Sequence, residues 1–105
     1  MSEPSFDADG YPNEETERKI AAWGADFSGL MAYIKRAWRY PDWGWSEEDV
    51  ADDSGDTIRR YTISTGGWSG NETLIGAMQE NYMFWSMCWQ QSRRGGHYVF
   101  EVRAL

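Results

Sequence analysis

The sequence predicts an α+β fold in which an antiparallel sheet of about three strands carries helices on one face. Apolar residues at helical spacing fill much of the first 40 positions. The run from Thr57 to Ser64 alternates as a strand does, and Gly95-Gly96 is typical of a hairpin between the last two strands. The predicted order of elements, α-α-β-α-β-β, is that of an α+β domain.

The chain of 105 residues has the length of a single domain. Residues 1–10 are small and polar, which predicts a flexible N-terminal arm, and residues 11–105 form the predicted domain. Aromatic residues make up 16% of the chain and include seven Trp. Because each large ring buries ~150–250 Å2, the core is expected to rest on a few rings, and not every Trp will fit inside it.

Two capped helices are predicted before the first strand. Asn13 is placed to cap one, which Gly24 ends, and Asp26 is placed to cap the next, which runs to about Trp38. An aromatic loop follows at 40–45, and a short helical turn is expected after Ser46. Residues 51–56 are rich in acids and turn formers, which predicts an exposed loop.

The second half of the chain is predicted to hold two further strands and one helix. A glycine-rich loop leads from the first strand into a helix that Ser69 or Asn71 would cap. The run from Tyr82 to Gln91 alternates and is predicted to be a strand, and the return strand runs from His97 to Arg103.

A cytoplasmic setting is expected from the cysteine content and from the first residues. Cys88 is the only cysteine, so no disulfide forms within the chain, which suits a reducing compartment. The first residues have neither the basic start nor the apolar run of a signal peptide. No stretch approaches the ~20 apolar residues of a membrane helix, so no membrane contact is predicted.

The net charge of −7 is concentrated in one block of seven acids between Pro41 and Thr57. The remaining ten acids balance the ten Lys and Arg. Direct nucleic-acid binding by that block is disfavoured, because phosphates repel it, and a basic protein or nucleoprotein is the expected partner. A solvated loop is the alternative for the acids, and burial in the core is the alternative for Trp43 and Trp45. The predicted partner-binding residues are Asp42, Trp43, Trp45, Glu47, Glu48, Asp49, Asp52, Asp53 and Asp56.

A second candidate is a small-ligand or phosphate site at the glycine loop, where a helix N-terminus favours negative charge. A tight turn pinned by Trp68 is the alternative, since the loop has no Walker lysine. The residues of this predicted site are Gly66, Gly67, Trp68, Ser69, Gly70, Asn71, Arg93, Arg94 and His97. A hydrolase-like site of Ser69, Glu72 and His97 is a third and weaker hypothesis.

No metal site or cofactor is predicted. The acidic block lacks the spacing of an EF-hand, and a zinc site needs more than one His and one Cys.

Two motifs, Ser64-Thr65-Gly66-Gly67-Trp68-Ser69-Gly70-Asn71-Glu72 and Arg93-Arg94-Gly95-Gly96-His97-Tyr98, support a resemblance. The last two-thirds of the chain resembles a family of small uncharacterised proteins from bacteriophages and bacterial genomes. The resemblance implies a phage or mobile-element setting and supplies no catalytic residues. By analogy, it suggests a counter-defence inhibitor, such as an anti-CRISPR protein, that blocks a nucleic-acid-binding host effector.

Overall fold

The computed structural model describes residues 3–103 and confirms the α+β class. Within this range the sheet has four antiparallel strands, rather than about three, in the order β1-β2-β4-β3. The helices and strands, in chain order, are α1 (Glu14–Ala21), α2 (Phe27–Ala37), α3 (Pro41–Gly44), β1 (Trp45–Ala51), β2 (Thr57–Ser64), α4 (Ser69–Glu80), α5 (Tyr82–Cys88), β3 (Trp89–Arg93) and β4 (His97–Arg103).

One face of the sheet packs against the helices and the other is open. The register places Tyr61 opposite Phe100 and Ile63 opposite both Trp45 and Tyr98, so these side chains share a face. The core contains that face together with the apolar stripes of α2, α4 and α5. The opposite face carries polar rows, such as Glu48, Arg60 and Glu101 on three neighbouring strands.

The predicted caps of the first two helices are confirmed. The side chain of Asn13 accepts a hydrogen bond from the backbone N–H of Thr16 at 3.1 Å, and that of Asp26 accepts one from Gly29 at 3.0 Å. Each cap satisfies an N–H group that the first helical turn leaves without a partner. These caps fix where α1 and α2 begin.

The predicted strand from Tyr82 to Gln91 is wrong over most of its length, because Tyr82–Cys88 is helix α5 and only Trp89–Arg93 is strand β3. Asn81 decides the outcome: its Oδ1 accepts from the backbone N–H of Phe84 at 3.1 Å and caps α5. Its Nδ2 donates to the carbonyl of Ile20, which ties the helix start to α1. Phe84 and Cys88, four residues apart, then share the buried face.

Strand β1 occupies the segment where a helical turn was predicted, whereas the exposed acidic loop predicted at 51–56 is confirmed from Asp52 onward as the turn between β1 and β2. The short helix lies earlier, at Pro41–Gly44, and Trp45–Ala51 is an edge strand. Trp45 anchors this strand in the core, and its acids face the arginines of β2. Charged side chains on an edge strand also prevent edge-to-edge pairing between molecules.

The N-terminal segment is held against α1 rather than running free as predicted. Ser5 donates its backbone N–H to Thr16 Oγ1 at 2.8 Å and accepts from that hydroxyl at its own carbonyl. Phe6 and Pro12 form a β-bridge. The first two residues of the predicted arm, and residues 104–105 of the predicted domain, lie outside the described residues.

Cys88 is expected to react slowly with thiol reagents in the folded protein. Its side chain is 3% exposed, and burial raises the pKa of the thiol to about 11. Because the thiolate is the reactive species, labelling by a disulfide reagent at pH 8 should be on the order of 100-fold slower than in denaturant. Equal rates in the native and denatured protein would contradict the buried placement of α5.

None of the helices in residues 3–103 combines the length and the apolar character needed to cross a bilayer.

Candidate functional site

The buried side chain of Asn71 joins the glycine loop to the segment that follows α2. Its Oδ1 accepts from the backbone N–H of Arg39 at 2.9 Å, and its Nδ2 donates to the carbonyls of Arg39 and Thr65 at 3.1 and 3.2 Å. Asn71 is 1% exposed, and because Ser69 and Asn71 both lie inside α4, neither is the helix cap that the sequence predicted. The N-cap position of α4 belongs to Trp68, and no side chain caps it.

Trp68 lies at the centre of a stack of rings. Its ring centroid is 5.2 Å from that of Tyr11, and the guanidinium of Arg39 sits over the indole at 4.8 Å. The indole also lies against Gly70, where an added Cβ would come within 2.3 Å of the ring. Gly70 is thus required for this placement, which supports the predicted role of Trp68 as an anchor of the loop.

Tyr40 adds an exposed ring next to Arg39. Its backbone is left-handed, with φ 61°, and it is the only non-glycine residue of the described chain with positive φ. That conformation costs about 1–2 kcal/mol for a residue with a side chain. Tyr40 is 60% exposed, and the guanidinium of Arg39 also lies 5.3 Å from its ring.

Trp43 completes the surface. Its side chain is 70% exposed, with one ring edge 3.1 Å from the position of a Cβ on Gly66. We name the set Tyr11, Arg39, Tyr40, Trp43 and Trp68 the aromatic surface. It lies where the end of α2, the short helix α3 and the glycine loop meet.

The other predicted contact tryptophan, Trp45, is part of the core. It packs edge-on against Trp38 and Tyr61, with ring centroids 5.5 and 6.1 Å away. Its Nε1 donates to Glu47 at 2.8 Å, which fixes that carboxylate beside the strand. Trp43 and Trp45, two residues apart in the sequence, therefore have opposite environments.

Most of the predicted acidic block is paired within the chain. Glu47 meets Lys35 and Arg59 at 3.5 and 3.2 Å, and Asp49 meets Arg59 at 3.0 Å. Arg60 lies 3.6 Å from Glu48. These cross-strand pairs neutralise charge that the linear sequence places in one run, although each exposed pair adds little stability.

Asp52 closes the β1–β2 turn. Its Oδ1 accepts from the backbone N–H groups of Ser54 and Asp56, both at 2.9 Å, and its other oxygen bonds to Arg103. The hydrogen bond from Arg103 holds the pKa of Asp52 below its usual value. Of the seven acids in the block, Asp42, Asp53 and Asp56 are exposed and form no ion pair within residues 3–103.

The predicted glycine-loop residues and the β3–β4 hairpin do come together. The backbone N–H of Thr65 donates to the carbonyl of Gly96 at 3.0 Å, and Ser64 Oγ lies 2.6 Å from His97 Nδ1. An added Cβ at Gly96 would lie 2.2 Å from Thr65 Oγ1, so only glycine permits this approach. Gly66 and Gly67 both have positive φ, as a tight turn requires.

The hydrolase-like site is not assembled. His97 meets Ser64 rather than Ser69, and the Ser69 carbonyl accepts a hydrogen bond from Thr73 on α4. Glu72 lies one helical turn from Trp68 and is exposed. In residues 3–103, no three His, Cys, Asp or Glu side chains are grouped so that they hold a metal ion.

Sequence reasoning missed three members of the aromatic surface: Tyr11, Arg39 and Tyr40. The guanidinium of Arg39 lies over the rings of both Tyr40 and Trp68. The signal in the sequence was the run Tyr40-Pro41-Asp42-Trp43. It carries two large rings within four residues, and both do not fit on the side of the segment that faces the core.

Searches against protein-family models, curated proteins and solved structures find no match for this chain. The resemblance to small phage and bacterial proteins, drawn from the two glycine motifs, thus stays a prediction.

Proposed function

We propose that this protein is a binding module that docks onto a protein partner through the aromatic surface. The observation that carries the proposal is the exposure of Tyr40 and Trp43 on a left-handed backbone turn. Large rings exposed to water are unfavourable, because burying their apolar surface lowers the free energy. A strained turn that keeps them exposed is explained if a partner covers them.

The composition of the surface is that of an interaction hot spot. Binding energy at protein interfaces concentrates in Trp, Tyr and Arg, and the aromatic surface consists of these three residue types alone. Arg39 is clamped between Trp68 and Tyr40, and Asn71 fixes its backbone. A surface ordered before binding loses less conformational entropy when the partner arrives.

The charges around this surface favour a basic partner. Asp42 lies between Tyr40 and Trp43 in the sequence, and Glu72 follows Trp68 by one helical turn; both are exposed. The cation of the surface, Arg39, is already engaged with two rings. A nucleic-acid-binding effector is one instance of a basic partner, and blocking it is the counter-defence role that the sequence motifs suggest.

The proposal is tested by comparative affinity capture from the native cells. Wild type, Trp43→Ala and Tyr82→Ala are immobilised in parallel, and retained proteins are quantified by mass spectrometry. Tyr82 is 85% exposed on α5, so it is a control for non-specific aromatic adhesion. The proposal requires a protein that wild type and Tyr82→Ala retain and Trp43→Ala loses. Identical retention on all three would overturn it.

The salt dependence of that complex is expected to come from Asp42 and Glu72 rather than from the whole acidic block. Asp42→Asn/Glu72→Gln removes two charges near the aromatic surface, so it should slow association several-fold at low salt. Asp53→Asn/Asp56→Asn removes two charges about 20 Å away, beyond the far end of β1, and should have little effect. Surface plasmon resonance across a salt series measures both.

Equal losses in the two double variants would mean that the whole acidic block meets the partner, as the sequence first suggested. Addition of excess DNA decides the partner class in the same assay. DNA displaces the protein from a nucleic-acid-binding partner and leaves any other partner in place.

A further inference from the structure

The open sheet face carries a groove of about 530 Å3 beside the β3–β4 hairpin. The register explains its position, because Ser64, His97 and Arg93 stand side by side on β2, β4 and β3. The next row toward the middle of the sheet is Thr62, Val99 and Gln91. The groove is lined by Thr62, Gln91, Arg93, Arg94, His97, Tyr98 and Val99.

The lining donates hydrogen bonds and includes no carboxylate. Two guanidinium groups, an imidazole, the Thr62 hydroxyl and the Gln91 amide contribute donors. His97 is fixed by its 2.6 Å contact with Ser64 Oγ, which leaves Nε2 without a hydrogen-bond partner in the described chain. A groove that offers cationic and neutral hydrogen-bond donors, and no carboxylate to neutralise them, is suited to bind an anion.

The distribution of ion pairs on the sheet isolates these two arginines. Arg59, Arg60 and Arg103 each contact a carboxylate. Arg93 and Arg94 contact none within residues 3–103, although the chain has an excess of acids. The nearest acid by register, Glu101, is held by Arg60 at 2.9 Å.

We propose that this groove binds a small phosphate monoester through Arg93, Arg94 and His97. Two adjacent guanidinium charges match a phosphate monoester, which carries about −1.5 to −2 at pH 7, better than a single carboxylate. Val99 supplies an apolar wall for the organic part of the ligand. A nucleic-acid strand is disfavoured, because the net charge of −7 repels a long polyanion.

The site is separate from the aromatic surface and does not depend on it. The glycine loop lies between the two and contacts Trp43 at Gly66 and the hairpin at Thr65. Loss of partner capture in Trp43→Ala therefore says nothing about this groove, and each proposal can fail alone.

The test is an NMR titration with phenyl phosphate, inorganic phosphate and acetate at constant ionic strength. We expect saturable shifts at the amides of Arg93–His97, with phenyl phosphate bound at least tenfold more tightly than acetate. Arg93→Gln/Arg94→Gln should weaken binding at least tenfold. The matched control is Arg18→Gln/Lys19→Gln on α1, where two adjacent cations also contact no carboxylate within the described chain, and it should bind as wild type does.

Ser64→Ala gives a second measurement that keeps the arginines in place. Loss of the hydroxyl that fixes His97 should weaken the binding of phenyl phosphate several-fold. Non-saturable shifts, or equal losses in the two double variants, would overturn the site. Acetate binding as tight as phosphate would overturn the ligand class, and so would tighter binding of a short single-stranded oligonucleotide.

Discussion

Trp43→Ala is expected to weaken the complex with the captured partner by at least about 30-fold. The side chain is 70% exposed in the free protein and belongs to the aromatic surface. A tryptophan that becomes buried at the centre of an interface contributes ~2 kcal/mol or more, which corresponds to that change in affinity. Isothermal titration calorimetry with the purified partner measures the effect.

The fold itself should tolerate this substitution. Because Trp43 is 70% exposed, the melting temperature of Trp43→Ala is expected to stay within a few degrees of that of wild type. Tyr82→Ala is the matched control, because it removes a ring that is 85% exposed and lies on α5, outside the aromatic surface. A Trp43→Ala protein that is folded and binds with wild-type affinity would exclude the aromatic surface as the contact.

Asn71→Ala is expected to have the largest effect on stability. The substitution leaves the N–H and the carbonyl of Arg39 without their partner, and the carbonyl of Thr65 loses one of its two donors and keeps the backbone N–H of Trp68. Buried polar groups that lose their partners cost ~1–3 kcal/mol each, and relaxation recovers part of that, so we expect a total of about 3 kcal/mol. For a domain of this size the melting temperature should fall by roughly 10–20 °C.

A control on the same helix separates this effect from helix propensity. Gln79→Ala lies on the exposed side of α4 and should change the melting temperature by only a degree or two. If Asn71→Ala melts at the wild-type temperature, Asn71 does not hold the glycine loop to Arg39, and the ordering of the aromatic surface needs another cause.

The parts of the fold that depend on short-range patterns were predictable. Asn13 and Asp26 predict where their helices begin, because a capping hydrogen bond joins residues within four positions of each other. Strand β2 was predicted from its alternating pattern, and its observed bounds, Thr57–Ser64, are the predicted ones. The glycine pair at 95–96 produces the predicted hairpin, since both residues hold positive φ.

The missed elements depend on contacts between residues far apart in the sequence. Helix α5 is apolar on nearly every side, so its period does not distinguish helix from strand; the decision comes from Asn81 bonding to Ile20, 61 residues away. Strand β1 is rich in acids, which disfavour strands on their own. It forms where Trp45 anchors it in the core and where Arg59 and Arg60 stand opposite Asp49 and Glu48.

The same distinction applies to the candidate site. The sequence identified the stretch around Trp43 and the glycine loop, because their composition is local. It did not distinguish Trp43 from Trp45, since only the path of α3 and β1 puts one ring in water and the other in the core. Nor did it show that arginines across the sheet pair with most of the acidic block, because pairing depends on register.

Hydroxyl-radical footprinting of the free protein and of its complex tests directly whether the partner binds at the aromatic surface. Tyr40 and Trp43 on the aromatic surface, and Tyr82 and Met87 on α5, are all exposed and reactive in the free protein. We expect complex formation to protect Tyr40 and Trp43 from oxidation while Tyr82 and Met87 are oxidised as before. Protection of Tyr82 and Met87, with Tyr40 and Trp43 unchanged, would contradict it.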